Sequence, residues 1–432
     1  MRDFWRAIVQ AATRLWSDIK ASTDASLLAV PRFLGLLYGP IDRDAPIDQA
    51  LDRSLRRRIP AFVGWRHSLG GITYFLFIVL VVTGALLAVH YRPSVQEAYP
   101  SIQHIVSDIT FGWLVRDVHR WAATLIVVAA LAHMARVFVE AAYLPPRETN
   151  WLIGVLLLFL VMAFGTTGYL LPWDQWSYWT VAEALATLER APLLGAFTVD
   201  VMRGDPIVSG ATLSRFFAMH VIVLPWVALM LLVFHFALVR RHGAAPPDGW
   251  TPAQSGPGRP FYPYQLLRSF MVVTLVSAIL ITLAVLAPRP IGELANPEFP
   301  PDHVRSTWVV VDVSRALTHV MGAWGFTLFL LLGVGLAMVP LLHRTPERSI
   351  RRRPKAAGVG LVFLIVFVLA WAFGSQLETV PPALLEAEAA PEAAPVEAPG
   401  TADSTGTATA PAGEAGAAVR GTDSTAVTGA NR

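Results

Sequence analysis

The 432-residue chain contains no cysteine, which excludes disulfides, cysteine-ligated iron–sulfur clusters, thiolate-bound haem and thioether attachment of a haem. Charge is also scarce: Asp, Glu, Lys and Arg make up 15% of residues, where soluble domains average about 25%. Neither a dinucleotide-binding glycine pattern nor a phosphate-binding loop is present, so nothing points to nucleotide-driven chemistry. What replaces the missing charge is apolar sequence, 54% of residues with a mean hydropathy of +0.50. The formal net charge of +3 sits mostly at the ends of apolar runs, as topology signals do.

Seven runs are long and apolar enough to cross a bilayer: Leu69–Val89, Trp113–Val139, Trp151–Leu171, Phe216–Val239, Phe270–Ala287, Val320–Leu342 and Gly358–Phe373. The last is short of the roughly 20 residues a span needs and must borrow from its flanks. The composition therefore predicts an all-α, polytopic transmembrane bundle of about seven spans. The N-terminal flank and the loops on its side carry 16 Lys and Arg, the loops on the other side 7. The positive-inside rule then puts the N-terminus in the cytoplasm. Phe4, Trp5, Ile8, Val9, Ala12, Leu15 and Trp16 recur at helical spacing among charged residues, which fits a helix on the membrane surface or one packed on a partner. Beyond Pro381 the chain is Ala, Pro, Glu, Gly and Thr with few large apolar residues, and reads as a disordered extracytoplasmic tail.

Histidine is costly inside a membrane, so intramembrane histidines are functional candidates. His119 and His133 lie 14 residues apart on the second span, His220 and His235 15 apart on the fourth. Both spacings are close to four helical turns, so each pair shares one face at two depths about 21 Å apart. Spans two and four run in the same direction, which sets His119 opposite His220 and His133 opposite His235. A lone histidine on an apolar helix is more often a hydrogen-bonded core residue, and a proton relay in a haem-free transporter is a further possibility. Four at matched spacing favour two bis-imidazole haem sites in a four-helix core. Gly70 and Gly84 on the first span, and Gly154 and Gly168 on the third, repeat the 14-residue interval. Small residues let a helix or a flat macrocycle approach closely, although helix packing alone also uses them. Arg116, Arg120 and Arg136 stand next to the second-span histidines, where they can pair with haem propionates or snorkel to lipid headgroups.

At these residues the chain resembles the cytochrome b family, in the cytochrome b6 form followed by its small partner subunit within one chain. The resemblance rests on Phe111-Gly112-Trp113-Leu114-Val115-Arg116-Asp117-Val118-His119-Arg120-Trp121, Pro145-Pro146-Arg147-Glu148, Gly168-Tyr169-Leu170-Leu171-Pro172-Trp173-Asp174-Gln175 and Thr212-Leu213-Ser214-Arg215-Phe216-Phe217-Ala218-Met219-His220. It is specific over residues 61–243 and weaker over 292–337, where Gly292-Glu293-Leu294-Ala295-Asn296-Pro297 is similar to the small subunit. The implied organisation is an N-terminal cytoplasmic region (1–60), a b6-like dihaem domain (61–245), a three-helix domain (246–375) and the tail (376–432).

The resemblance implies two b haems, a quinol site on the outer side near His119 and His220, and a second quinone site near His133 and His235. It implies partnership with a Rieske iron–sulfur protein and a c-type cytochrome, in a homodimeric complex of a bacterial inner membrane. Two positions depart from the family. Ser68 stands where the b6 form has a cysteine that fixes an additional haem, so no covalent haem is expected. Ser306-Thr307-Trp308-Val309 aligns with the family's Pro-Glu-Trp-Tyr beside the outer quinol site, so the expected glutamate is missing. Three nearby acids could take its place, Glu298, Asp302 and Asp312, with Asp312 preferred, and Tyr178 is a further candidate catalytic residue; a salt bridge to Arg315, three residues on, is the structural alternative for Asp312. A non-catalytic electron conduit or assembly subunit with a degenerate outer site is the rival reading.

Overall fold

In the bilayer interior no water satisfies backbone N–H and C=O groups, so apolar runs of this length must close their hydrogen bonds within helices. The computed structural model does this seven times among the described residues, which are 13, 17, 56–192, 195–251, 256–301, 308–343 and 346–377. The candidate spans are Trp65–His90, Gly112–Val139, Glu148–Tyr169, Gly210–His242, Phe261–Leu286, Trp324–Leu342 and Pro354–Gly374. The amphipathic N-terminal run, Asp302, Thr307 and the tail beyond residue 377 lie outside the described residues.

The first four spans form the core: α1 (Leu69–His90), α3 (Gly112–Val139), α4 (Glu148–Tyr169), and α7 (Gly210–Ala218) continued by α8 (Leu224–His242). Helix α1 packs along α3, and α4 packs along α8. Three helices flank them, α9 (Leu266–Leu286) against α3, α11 (Trp324–Leu342) against α4, and α12 (Pro354–Gly374). We call the end bearing loops 91–111, 170–209 and 287–308 the outer end. It carries three short helices: α2 (Ala98–Ser107), α5 (Gln175–Glu189) and α6 (Gly195–Arg203). A two-residue antiparallel pairing of Arg58–Ile59 with Arg259–Pro260 lies at the other, inner end.

The sixth span begins later than the apolar run predicts. Val320 and Met321 close a separate helix, α10 (Val309–Met321), which stops at Gly322 in the left-handed region, φ +60°. Glycine tolerates that conformation without a Cβ clash and so ends the helix two residues before Trp324. Helix α10 is too short to span, yet Val311 to Leu317 are all buried, enclosed by α5, α11 and α12. Its backbone lies so close to α12 that a Cβ on Gly374 would collide with the Asp312 carbonyl.

Two of the family-like motifs lock together at the outer end. Asp174 caps α5 by accepting from the Ser177 amide (2.8 Å), and its other oxygen accepts from the Gly292 amide (3.1 Å). The Ala295 amide donates to the Trp173 carbonyl, the Gln175 amide to the Glu293 carbonyl, and Tyr99 Oη to the Gly292 carbonyl. The connection from α9 is thereby fixed to the end of α4. At the inner end, buried Arg353 donates to the Tyr143 hydroxyl (3.0 Å) and the Val139 carbonyl (2.9 Å), and Tyr143 Oη pairs with His343 Nδ1 (2.9 Å). Burial lifts the Tyr143 phenol above its ordinary pKa, and burial together with the Arg353 charge holds His343 below its own.

Candidate haem and quinol sites

The two histidine pairs are spaced unequally in sequence, and the fourth span compensates. Met219–Val223 forms a π turn that contains His220 and ends two residues before Pro225. Proline has no N–H to give the carbonyl four residues back, and a π turn accommodates the interruption by inserting one residue without advancing the helix. The 15 residues from His220 to His235 therefore cover the angle that 14 cover on α3, so both helices present their histidines with the same offset.

Across the core, the rings of His119 and His220 lie 6.4 Å apart, centre to centre, inclined by 69°. Two imidazoles bound end-on to one metal, each nitrogen about 2.0 Å from it and about 1.1 Å from its ring centre, would be separated by about 6.2 Å. Each of the four repeated glycines faces one of the four imidazoles. A Cβ at Gly84 would stand 3.2 Å from His119, at Gly168 2.5 Å from His220, at Gly70 3.1 Å from His133 and at Gly154 3.8 Å from His235. The glycine pairs and histidine pairs thus belong to the same two levels, and the missing side chains form cradles of the kind a flat macrocycle needs. The residues fit two bis-histidine haems.

Two threonines sharpen the outer level and escaped the reading of the sequence. Thr83 Oγ1 lies 2.9 Å from His119 Nδ1 and donates to the Val79 carbonyl; Thr167 Oγ1 lies 3.2 Å from His220 Nδ1 and donates to the Ala163 carbonyl. With each hydroxyl proton committed to its own helix, the imidazole Nδ1–H must be the donor, which leaves Nε2 as the metal-binding atom. The signal was present as a repeated Thr-Gly pair, Thr83-Gly84 and Thr167-Gly168. Among the described residues, His133 and His235 have no hydrogen-bond partner at Nδ1.

The arginines divide. Arg116 is buried, donates to Asp117 (3.1 Å) and the Arg289 carbonyl (2.6 Å), and its Nη2 has no partner among the described residues. Arg289 stacks over Trp121 at 4.2 Å. This outer group, with Arg120 on the same helix, is rich in cation and poor in anion, as a propionate site requires. Arg136 instead forks onto Glu140 (2.8 and 2.9 Å), to which Arg66 also bonds, so its charge is already met.

Trp308 seats its indole against Gly165, where a Cβ would collide with it, and donates to Thr166 Oγ1 (3.3 Å). The residue that follows the missing glutamate is thus anchored on the same turn of α4 that holds Thr167 and, through it, His220. Among the acid candidates, Asp312 is buried in α10. Its alternative role fails: Arg315 turns away and forks onto Glu183 of α5 (2.8 and 2.6 Å). Tyr178 is also buried, and its hydroxyl donates to the Val208 carbonyl (3.0 Å). Glu183 was not singled out by the sequence, where it is one of two acids in α5.

Comparison with known proteins agrees with this geometry. The family profile described as cytochrome b/b6/petB matches residues 55–243. Cytochrome b6 of Prochlorothrix hollandica is 38% identical over 201 residues, 46% of this chain and 90% of that protein. Cytochrome b6 of Acaryochloris marina (36%) and of Euglena gracilis (37%) each align over 211 residues, 49% of this chain and 98% of theirs. A chain of a solved hyperthermophilic respiratory complex III superposes with a TM-score of 0.70 at 27% identity, covering 78% of this chain and 91% of that one. With its seven apolar helices and paired intramembrane histidines, the chain belongs to the cytochrome b/b6 family of multi-pass membrane proteins.

Proposed function

We propose that the chain is the dihaem cytochrome b subunit of a quinol:cytochrome c, or similar acceptor, oxidoreductase. The observation that carries this reading is the coincidence of four histidines with four glycine cradles at two levels. His119 and His220 would hold the outer haem b, His133 and His235 the inner one. Each haem would supply a one-electron site at its own depth in the bilayer. The protein's part is to fix these sites: Thr83 and Thr167 orient the outer imidazoles, Arg116 and Arg120 offer charge to the outer propionates, and the glycines admit the rings. Quinol is oxidised at the outer end, between α5, α10 and the Trp308 turn, where Asp312 and Asp302 are candidate proton acceptors. A second quinone site belongs beside the inner pair. No covalent haem is proposed, because Ser68 stands in the position of the b6 cysteine.

The reading includes a Rieske iron–sulfur protein and a c-type cytochrome as partners, a homodimeric complex, and a bacterial inner membrane with the N-terminus in the cytoplasm. It assigns residues 61–245 to the dihaem part and 246–375 to the part similar to the small subunit. Thr307 in place of a glutamate favours one alternative, an electron conduit with an inactive outer site. Quinol-driven reduction of the b-type absorbance in the assembled complex decides between them. Reduction that an outer-site quinol analogue blocks is expected; absence of any quinol-driven reduction in a fully haem-loaded complex would select the conduit.

A further inference from the structure

At the inner end, two arginines from different connections converge on one short segment. Arg353, buried, bonds to the Tyr143 hydroxyl and the Val139 carbonyl, and Tyr143 bonds to His343, so the connection from α11 to α12 is tied to the one from α3 to α4. Arg348 lies on the first connection and Arg147 on the second, and both reach residues 242–246, where the chain leaves α8. Arg147 donates through Nη2 to the His242 carbonyl (2.9 Å) and through Nε to the Gly243 carbonyl (3.3 Å). Arg348 donates through Nη1 to the Pro246 carbonyl (2.9 Å). Among the described residues, neither guanidinium bonds to a carboxylate.

One arginine on the last carbonyls of a helix is an ordinary cap, favoured by the negative end of the helix dipole. A second on the same segment sets two like charges together, which the cap does not require. Burial and the Arg348 charge hold the Arg147 guanidinium below its ordinary pKa, with the Glu148 charge acting the other way. Glu347, the acid of the α11–α12 connection, accepts from the Ser349 amide (3.1 Å) and lies 3.6 Å from Arg352. Donors remain unspent. A guanidinium carries five N–H groups in a flat fork, and Arg147 Nη1 and Arg348 Nε and Nη2 have no hydrogen-bond partner among the described residues.

We propose that Arg147 and Arg348 form an inner-end binding site for a phosphate group, carried by an anionic lipid headgroup or free in solution. Phosphate suits the pair because its several oxygens accept from two guanidinium forks at once, and its charge offsets the repulsion between them. The depth of the site suits a headgroup. Arg147 immediately precedes the span Glu148–Tyr169, His242 ends the span Gly210–His242, and Arg348 lies midway between Leu342 and Pro354, the facing ends of two more. Val239, one turn before Gly243, and Leu342, the last residue of α11, are exposed and give acyl chains apolar surface to lie on. A bound phosphate would join the connections after α3, α8 and α11, so it should stabilise the folded chain.

The test uses the haem-loaded complex, washed of lipid in detergent, then titrated with phosphatidylglycerol in mixed micelles, with phosphatidylcholine at the same mole fraction, and with inorganic phosphate. Native protein, Arg147→Gln, Arg348→Gln and Arg351→Gln are compared by bound phosphorus per haem and by thermal midpoint. Arg351, exposed on the same connection as Arg348, reports attraction to basic surface in general. Expected are unchanged haem content, roughly 10- to 100-fold weaker phosphate-group binding in Arg147→Gln and Arg348→Gln, and native binding in Arg351→Gln. The native thermal midpoint should rise with the bound ligand, and those of the first two variants should not. Arg348→Gln leaves the Arg147 cap on α8 in place, so it decides the matter if Arg147→Gln folds poorly. Saturation by phosphatidylglycerol without a response to inorganic phosphate identifies a headgroup site; saturation by inorganic phosphate identifies a site for the free anion. Equal binding by native protein and Arg348→Gln, an equal loss in Arg351→Gln, phosphatidylcholine bound as tightly as phosphatidylglycerol, or no binding of either anion would overturn the inference.

Discussion

Enlarging the four glycines one at a time should damage haem binding in an order set by the space at each cradle. An alanine methyl at position 168 would stand 2.5 Å from His220 Cε1, 3.0 Å from Nδ1 and 3.1 Å from Nε2. Ordinary carbon contacts are about 3.5–4.0 Å, so about 1 Å must be found. The ring has little freedom to supply it, since Thr167 holds Nδ1 and the metal bond would hold Nε2. Overpacking of this kind costs about 1–3 kcal/mol, which is roughly 5- to 150-fold in haem affinity. Gly70→Ala and Gly84→Ala, at 3.1 and 3.2 Å, need only a few tenths of an ångström and should cost less. Gly154→Ala, at 3.8 Å, meets His235 at ordinary contact and should cost least of the four. Haem retention during detergent titration, followed by reduced-minus-oxidised spectra that separate the two haems, measures the order. Equal losses at 154 and 168, or loss of the inner haem in Gly168→Ala, would refute the reasoning.

Thr83→Val and Thr167→Val should each raise the midpoint potential of the outer haem alone, because an imidazole that loses its Nδ1–H acceptor is a weaker donor to oxidised iron; potentiometric titration resolves this. Asp174→Ala removes both the α5 cap and the Gly292 contact, and should lower stability by about 1–3 kcal/mol, read as a fall in thermal midpoint. Tyr143→Phe leaves Arg353 and His343 without their shared hydroxyl, at a similar cost. Since the folded state holds the His343 pKa below its unfolded value near 6.5, protonation favours unfolding. Its contribution should therefore be intact above about pH 6.5 and decline as pH falls.

Hydropathy alone located the spans to within a few residues at most ends, because each apolar run must exceed a fixed thickness. The fourth and fifth spans start at Gly210 and Phe261, several residues before their apolar runs, and Val320–Leu342 is divided, since hydropathy does not register the left-handed turn at Gly322. The histidine and glycine intervals were legible because a straight helix turns spacing directly into depth and face. The partner of each glycine was not, nor was the π turn that reconciles 15 residues with 14. Side-chain choices across helices were least accessible. Arg315 at a spacing that suits Asp312 pairs instead with Glu183, 132 positions away, and Tyr178 spends its hydroxyl on Val208. Such contacts depend on how α5 and α10 are brought together, which neither helix encodes alone.

The central claim, two haems each held by one histidine from α3 and one from α8, is tested most directly by haem stoichiometry in the purified chain. Native protein should carry two b haems; His119→Ala and His220→Ala should each retain only the inner one, and His133→Ala and His235→Ala only the outer. Two haems surviving in His119→Ala, or both lost together with the fold intact, would contradict the pairing.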